Sequence, residues 1–322
     1  MKKLTIRLAA SLLTVFMAAP SASAAELLIP VGQVVGLELS EDRVTVDGFD
    51  SRIGQAAQAA GLREGDQIVT IDDIPIHCTE DVKLALQRSD GDIDMVIGRG
   101  STAKEIELEP MITEDGPKLG LYLRQGITGV GTVTYYDPDT KAFGALGHGV
   151  NRKDGELAAL TEGFVYAASV EAVKKGKSGD PGQLIGSVTD KTPIGTLSKN
   201  ALQGVFGKAD LPFHGDALPT AATSEIQTGP AIIRSTTQNG TVQEYSVEIM
   251  KIYPHSSADG RNMLLKVTDL RLLSTTGGIV QGMSGSPIIQ NGKLVGAVTH
   301  VLVNDPTTGY GIFIENMLDA AA

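Results

Sequence analysis

Several kinds of residue are scarce in this sequence, and each scarcity excludes a class of protein or site. The chain of 322 residues has one cysteine, Cys78, and no tryptophan, and its aromatic content is 4%. A single cysteine excludes an intrachain disulfide framework and any metal site built from several thiolates. No other pattern in the sequence suggests a metal or a cofactor, so we expect neither.

Basic residues are outnumbered by acidic ones. Lysine and arginine total 27 against 38 aspartate and glutamate residues, which gives a net charge of −11, and no basic cluster follows the first few residues. Proteins that bind nucleic acid use Lys and Arg to neutralise the phosphates. The composition therefore argues against a nucleic-acid partner.

Long apolar runs are absent after the N-terminus. At the N-terminus itself, basic residues at positions 2, 3 and 7 precede a mostly apolar stretch at 8–19, and Ala-Ser-Ala follows at 22–24. This order is typical of a secretory signal, and the apolar stretch is shorter than the roughly 20 residues that span a bilayer comfortably. We expect residues 1–24 to be a signal peptide or an uncleaved N-terminal anchor, and the protein to be exported.

Glycine and short apolar runs are abundant. The 38 glycines and the β-branched and aliphatic runs between them favour many short strands and turns over long helices. A chain of 322 residues fits about two domains. We therefore expect a mainly β protein with two units.

The first unit, residues 28–110, combines predicted strands with two helices. One helix is predicted at residues 53–60 and ends before Gly61, and the other begins with Thr79 as its N-cap. Alternating apolar and polar residues predict the strands, which are residues 44–46, 93–97 and 105–109.

A segment between the two helices resembles a known binding module. Residues 59–71 read AAGLREGDQIVTI and are similar to the helix, turn and strand that identify PDZ domains. PDZ domains bind a peptide by adding it as a strand beside an exposed sheet edge. The resemblance implies a groove at residues 31–37, with Gln33, Val34, Val35 and Gly36 at its centre. A unit that only packs against its neighbour is the alternative.

The second unit is predicted at residues 119–322, after a linker at residues 111–118. Two predicted strands, residues 130–136 and 142–146, lead to His148 between two glycines. Near the C-terminus, Asn-Gly at 291–292 between two apolar runs predicts a hairpin with a type I′ turn.

The loop before this hairpin carries the candidate nucleophile. Residues 282–287 read GMSGSP, and small residues let the backbone turn tightly around Ser284. Its hydroxyl would then be exposed beside backbone N–H groups that stabilise an oxyanion. Ser286 is the rival nucleophile, and a glycine-rich turn whose serines bond only their own backbone is the simpler interpretation.

A serine nucleophile needs a base, and several histidines are available. An isolated histidine is most often a surface or core residue. Sequence position alone does not choose among the five, which are His77, His148, His214, His255 and His300.

Several longer segments, in order, resemble the stage IV sporulation protein B (SpoIVB) family of serine peptidases. The segments are YDP at 136–138, GALGHGV at 144–150, KVTD at 266–269, TGGIVQGMSGSP at 276–287, GAVTHV at 296–301 and NDP at 304–306. The resemblance implies a mainly β protein in which a small PDZ-like α/β domain is followed by a chymotrypsin-like double β-barrel.

The same resemblance implies the catalytic residues. His148 would be the general base, Asp269 the partner that orients it, and Ser284 the nucleophile, with the backbone N–H groups of Gly282 and Ser284 as the oxyanion hole. Trypsin-like enzymes place an aspartate just before the serine, where it pairs with a new N-terminus, but here the residue is Met283. We therefore expect the PDZ-like unit or self-cleavage, and no N-terminal ion pair, to control activity.

The function that the resemblance implies is sporulation signalling. The enzyme would cleave itself and a regulator of a membrane-embedded, sigma-factor-processing protease complex, close to a membrane in the space between forespore and mother cell. A peptide or protein would bind the PDZ-like groove. One alternative is a non-catalytic PDZ adaptor, which a large separation of Ser284 and His148 would favour. The other is an HtrA-like quality-control protease, a class whose PDZ domains usually follow the protease domain.

Overall fold

The computed structural model describes residues 26–89, 91–152, 154–238, 240–254 and 260–322. The predicted signal segment, residues 1–24, and His255 lie outside these described residues. Within the described residues, no helix is both long and apolar enough to cross a membrane.

The described residues form mostly strands, with a few short helices. In chain order the strands are β1 (Leu27–Pro30), β2 (Val34–Phe49), β3 (Gln67–Ile71), β4 (Ile74–Pro75), β5 (Ile93–Arg99), β6 (Thr102–Leu108), β7 (Met111–Thr113), β8 (Gly116–Lys118), β9 (Leu121–Tyr136), β10 (Ala142–Ala145), β11 (Glu162–Lys174), β12 (Gln183–Ala201), β13 (Gly204–Ala209), β14 (Leu218–Pro219), β15 (Gly229–Gln238), β16 (Thr241–Ile252), β17 (Met263–Val267), β18 (Pro287–Gln290), β19 (Lys293–Leu302) and β20 (Asp305–Phe313). The α-helices are α1 (Gln55–Ala59), α2 (Thr79–Arg88), α3 (Leu270–Thr276) and α4 (Ile314–Ala321).

Two closed antiparallel barrels form the body of the molecule. The first has the strand order β2-β9-β10-β13-β12-β11 and closes through the pairing of β9 with β2. The second has the order β15-β16-β17-β20-β19-β18. Each barrel encloses its own apolar core, with Val133 and Phe143 in the first and Leu265 and Ile288 in the second. The prediction of a mainly β, double-barrel protein is confirmed.

A small α/β unit is inserted into the first barrel between β2 and β9. Residues 34–40 of β2 pair with 126–132 of β9 inside the barrel. Beyond Ser40 both strands leave the barrel and pair again, from Thr45 with Arg124 onward, as part of the α/β unit. This unit also contains β3 to β6, α1 and α2, and has a separate apolar core.

The boundaries of the units therefore differ from the predicted ones, which are 28–110, 111–118 and 119–322. Residues 27–40 belong to strands of the barrel region, whereas residues 121–125 belong to the α/β unit. The predicted linker at 111–118 is the hairpin of β7 and β8. Periodicity identifies a strand but not its partner, so a strand that passes through two units is assigned to only one.

The predicted peptide groove at Gln33, Val34, Val35 and Gly36 is wrong. Residues 34–36 pair with β9 on one edge of β2, and residues 35 and 36 also pair with β11 on the other. The Gln33 carbonyl accepts the N–H of Val133. A strand whose two edges are both paired has no free hydrogen-bonding groups to offer a peptide.

Most local predictions agree with the structure. The predicted hairpin is formed by β18 and β19, and Asn291 and Gly292 have φ angles of 52° and 74°, as a type I′ turn requires. Helix α2 begins at Thr79, so its N-cap is Cys78, one residue before the predicted cap. Asp81 accepts the backbone N–H groups of His77 and Cys78 at this helix start.

Candidate active site

The loop that carries Ser284 belongs to the second barrel but is held by the first. On β9, the Thr132 hydroxyl donates to the Gly282 carbonyl at 2.8 Å, and the Thr132 N–H donates to the Ser284 carbonyl at 3.1 Å. The Thr134 hydroxyl donates to the Gly285 carbonyl at 2.8 Å. These bonds set the position of the serine relative to the first barrel.

Glycine is required at position 285, next to the serine, because the loop lies very close to the backbone of β9 there. Gly285 has a φ of 96°, and a Cβ there would lie 2.0 Å from the Thr132 carbonyl oxygen. An L side chain would therefore be strained and would also collide with backbone. The small residues that drew attention to this loop in the sequence serve the contact between the barrels.

Of the two candidate nucleophiles, only one faces solvent. Ser284 lines the cleft between the barrels, and its Oγ donates to the Thr299 carbonyl at 2.7 Å. Ser286 is fully buried, with 0% exposure. A peptide could not reach the Ser286 hydroxyl in this arrangement, which leaves Ser284 as the better candidate.

The backbone around Ser284 leaves two N–H groups available. The N–H groups of Met283, Gly285 and Ser286 donate to the carbonyls of Val280, Val298 and Met283. Those of Gly282 and Ser284 donate to no acceptor among the described residues. Two free N–H groups beside a nucleophile are what an oxyanion hole needs. The predicted role of these groups stays a prediction.

His148 lies on the loop that follows β10. Its Nδ1 is 2.9 Å from the Gly149 carbonyl oxygen, so Nδ1 carries the proton of the neutral ring and Nε2 keeps its lone pair. The loop is close to neighbouring backbone, since a Cβ on Gly149 would lie 2.8 Å from the Ala201 carbonyl oxygen. Burial lowers the pKa of His148 below its ordinary value, and the bond to Gly149 only partly opposes this.

Ser284 and His148 line the same cleft, which has a volume of about 520 Å³. The adaptor alternative required these two residues to be far apart, and the shared cleft argues against it. His300 also lines the cleft, and its ring centroid is 5.3 Å from that of His148. Most other lining residues are aliphatic: Leu37, Leu39, Ile127, Val130, Leu146, Val150, Ile279, Val280, Val301 and Val303.

Asp269 is placed away from His148. It is the N-cap of α3, where its carboxylate accepts the N–H groups of Arg271 and Leu272 and the guanidinium of Arg271. The Arg271 guanidinium holds the pKa of Asp269 at about 2. No hydrogen bond joins Asp269 to His148 among the described residues.

The strand β17 separates the two residues. Gly260, which precedes β17, accepts the Thr299 hydroxyl at the cleft, and a Cβ on Gly260 would lie 3.2 Å from the carbonyl oxygen of Gly147. From Met263 to Val267 the strand rises about 13 Å, and Asp269 lies beyond its far end. The structure thus brings together His148 and Ser284 but not Asp269.

Sequence reasoning missed several residues that build this site. Thr132 and Thr134 sit in a strand that reads only as alternating and apolar, and nothing local marks them as contacts of the serine loop. Pro181 lines the cleft from the β11–β12 hairpin, for which the sequence offered no role. Among the described residues, no cluster of three or more His, Cys, Asp or Glu side chains is placed to hold a metal ion.

A second groove lies on the α/β unit. It has a volume of about 610 Å³ and runs between α2 and residues 119–123. In this stretch β9 pairs with β2 on one edge, while the other edge pairs with no strand among the described residues. The N–H groups of Leu119 and Gly120 donate to no described residue. An unpaired strand edge beside a helix is the geometry used in strand addition.

Residues 115–318 match the family described as SpoIVB peptidase S55. No curated protein matches the chain.

Several solved structures are similar at low identity. The Rv3671c protease of M. tuberculosis in its active form is 17% identical, with 61% of this chain and 75% of that chain covered and a TM-score of 0.37. Its inactive form is 15% identical over 59% of this chain and 82% of that chain, also with a TM-score of 0.37. The HtrA-type protease AlgW with a decapeptide is 11% identical over 90% of this chain and 63% of that chain, with a TM-score of 0.38.

The assignment depends on the family match alone, because the structural similarities are too distant to support it. The matched segment, residues 115–318, contains both His148 and Ser284 and covers more than half of the 322 residues. The protein therefore belongs to the SpoIVB peptidase S55 family and is a serine endopeptidase.

Proposed function

We propose that this endopeptidase uses Ser284 as its nucleophile and His148 as its general base, and that it acts in sporulation signalling. The observation that carries the proposed site is that Ser284 and His148 line one cleft between the two barrels. The neutral His148 ring, with its proton on Nδ1, leaves Nε2 to accept the serine proton.

The reaction follows from these groups. Nε2 of His148 takes the proton of Ser284 as Oγ attacks the scissile carbonyl carbon, and the N–H groups of Gly282 and Ser284 bind the oxyanion. His148 then protonates the departing amine, and water repeats the sequence to release the acyl group. Since the Ser284 hydroxyl donates to the Thr299 carbonyl in this structure, it must rotate away from Thr299 before His148 can take its proton.

The cleft favours aliphatic substrate side chains, because Ile279, Val280 and Val301 line it beside Ser284. The substrates that the family implies are the protein itself and a membrane-bound regulator of a sigma-factor-processing protease complex. An N-terminal export segment at residues 1–24 supports a location between the forespore and mother-cell membranes.

The α/β unit is proposed to bind a peptide as a PDZ domain does, but in the groove beside α2. A ligand would add as a strand along the free edge of residues 121–123. Its terminal carboxylate would accept the N–H groups of Leu119 and Gly120, with Lys83 at the groove supplying positive charge, since Lys118 is paired with Asp115. Binding of apolar peptides with a free C-terminus, and loss of binding when that terminus is amidated, would support this; equal binding of both forms would reject carboxylate capture.

The proposed nucleophile is tested by comparing three purified proteins: wild type, Ser284→Ala and Ser286→Ala. We expect wild type and Ser286→Ala to cleave themselves and aliphatic peptides, and Ser284→Ala to lose cleavage. Ser286 is a matched control, since it is a serine two residues away in the same loop. Cleavage that persists in Ser284→Ala would show that the proposed site is wrong.

A further inference from the structure

A long hairpin of the first barrel reaches the second barrel and ends beside the serine loop. It is formed by β11 and β12, and its tip is residues 175–182. The N–H of Gly176 donates to the Thr276 carbonyl at 2.8 Å. The Gly182 carbonyl accepts the N–H of Gln281, and the N–H of Leu184 donates to the Gln281 carbonyl at 2.8 Å.

These bonds hold the residue just before the proposed oxyanion hole. Gln281 uses both its N–H and its carbonyl on the hairpin, in a parallel bridge with Gln183. Gly282, which lines the cleft, follows directly. The direction of the Gly282 N–H therefore depends on a peptide group whose position the hairpin sets.

The segment held by the hairpin is rich in glycine. Gly277, Gly278 and Gly282 have φ angles of 78°, 141° and 95°, and glycines have the largest conformational freedom of any residue. In trypsin-like enzymes an ion pair at the residue before the serine orders this loop. Here that residue is Met283, which is fully buried in the core of the second barrel.

Close packing at the tip makes the contact specific. A Cβ on Gly182 would lie 2.5 Å from the Gly176 nitrogen and the Lys174 carbonyl oxygen, and a Cβ on Gly277 would lie 2.5 Å from the Gly176 carbonyl oxygen. On the other side, a Cβ on Gly278 would lie 2.1 Å from the Pro306 carbonyl oxygen. The hairpin tip, the loop before Ser284 and the start of β20 thus meet backbone to backbone.

We propose that the tip of the β11–β12 hairpin is the positioning element of the oxyanion hole, and that it orders the loop in place of an N-terminal ion pair. The proposal rests on the function proposed above for Ser284 and Gly282. Gly176 and Gly182 are its positioning residues, because they act on Gly282 through Thr276 and Gln281 and do not touch the reacting atoms.

The test compares Gly182→Ala with Gly179→Ala. Both glycines lie at the tip with similar φ angles of 70° and 84°, but a Cβ on Gly179 meets nothing within 4 Å. The two substitutions therefore impose the same kind of backbone strain, and only Gly182→Ala pushes the tip away from its contacts. These quantities are measured on the full chain: kcat and KM for a peptide, affinity for the matching peptide boronate, and Tm.

We expect Gly182→Ala to lower kcat and the boronate affinity by at least about tenfold, since removal of an oxyanion-hole donor costs about 100- to 1,000-fold in kcat. KM should change little, and Tm should fall further than in Gly179→Ala because the Cβ clash adds to the backbone strain. The boronate forms a tetrahedral adduct with the serine, so its affinity reports the oxyanion hole in a way that a general loss of stability does not.

Equal kcat and boronate affinity in the two variants would overturn the proposal. If Gly182→Ala does not fold, Gly176→Ala replaces it, because a Cβ there would lie 2.9 Å from the Pro181 carbonyl oxygen, a milder clash. Labelling of wild type with a fluorophosphonate separates the two proposals. If the reagent labels Ser284 and the two variants have equal kcat and boronate affinity, only the proposed role of the hairpin is rejected. If the reagent labels another residue, the proposed nucleophile is rejected and the role of the hairpin with it.

Discussion

The imidazole of His148 is desolvated in the cleft, and this determines the pH range in which it can act as a base. Burial favours the neutral ring, so the pKa of His148 lies below its ordinary value of 6.5. A base with a lowered pKa stays unprotonated to a lower pH. The enzyme should therefore keep its activity in mildly acidic solution.

We predict that the acid limb of the kcat/KM profile has an apparent pKa below 6.5, because kcat/KM reports the free enzyme. The measurement is peptide cleavage from pH 4 to 8. His77→Gln is the control: His77 is exposed and paired with Asp42 on the α/β unit, and its replacement should leave the profile unchanged. An acid limb above 6.5 would contradict the geometry described for His148.

Helix α3 gives Asp269 a structural function that can be separated from catalysis. Its carboxylate caps the helix and pairs with Arg271, whose guanidinium also lies 5.4 Å from the Tyr245 ring. A carboxylate held by these groups is stabilised in its charged form. Its pKa is lowered from 3.8 to about 2, so its contribution to stability is present above pH 3.8 and is lost as the pH falls through about 2.

We predict that Asp269→Asn lowers the free energy of unfolding by about 2 kcal/mol at neutral pH, the value that a pKa shift of this size implies. The difference from wild type should shrink as the pH falls through about 2, where the carboxylate becomes protonated. In the same protein kcat should stay within a few-fold of wild type, because Asp269 does not contact His148. A loss of about 10⁴-fold in kcat with unchanged stability, as for an orienting triad aspartate, would restore the role implied by the family resemblance.

The way the units are connected allows a further prediction about the whole molecule. Strands β2 and β9 pair up to Ser40 and Gly126 inside the barrel, so a short turn at that point would close the barrel without the α/β unit. Glu41 should be kept, since its carboxylate binds Arg152 and the N–H of Ala159.

We predict that replacing residues 42–125 by Asn-Gly yields a folded double barrel whose Ser284 reacts with a fluorophosphonate. The new connection is a three-residue hairpin loop with glycine last, a length and composition that antiparallel strands accept. Deletion of residues 28–110, the unit expected from sequence, removes most of β1 and all of β2 and should give insoluble protein. The reverse result would show that the barrel does not close between β2 and β9.

Local features of this protein could be predicted from sequence because neighbouring residues determine them. The type I′ turn at Asn291 and Gly292, helix α2 and strand β5 follow from backbone preference and from the period of apolar residues. The loop around Ser284 and the His148 loop were marked by glycines and by family motifs. The double barrel came from that resemblance, since periodicity alone predicts only that strands are present.

Tertiary structure decided the features that depend on partners distant in the chain. The register of β2 against β9 and β11 inserted the α/β unit in the barrel and closed the predicted groove at residues 33–36. The partners of Asp269 and the contact of the β11–β12 tip with Gln281 likewise join segments that no local pattern connects. The physical reason is that a backbone N–H or carbonyl is chemically the same in every strand, so a sequence shows where such groups need partners but not which strand or loop will supply them.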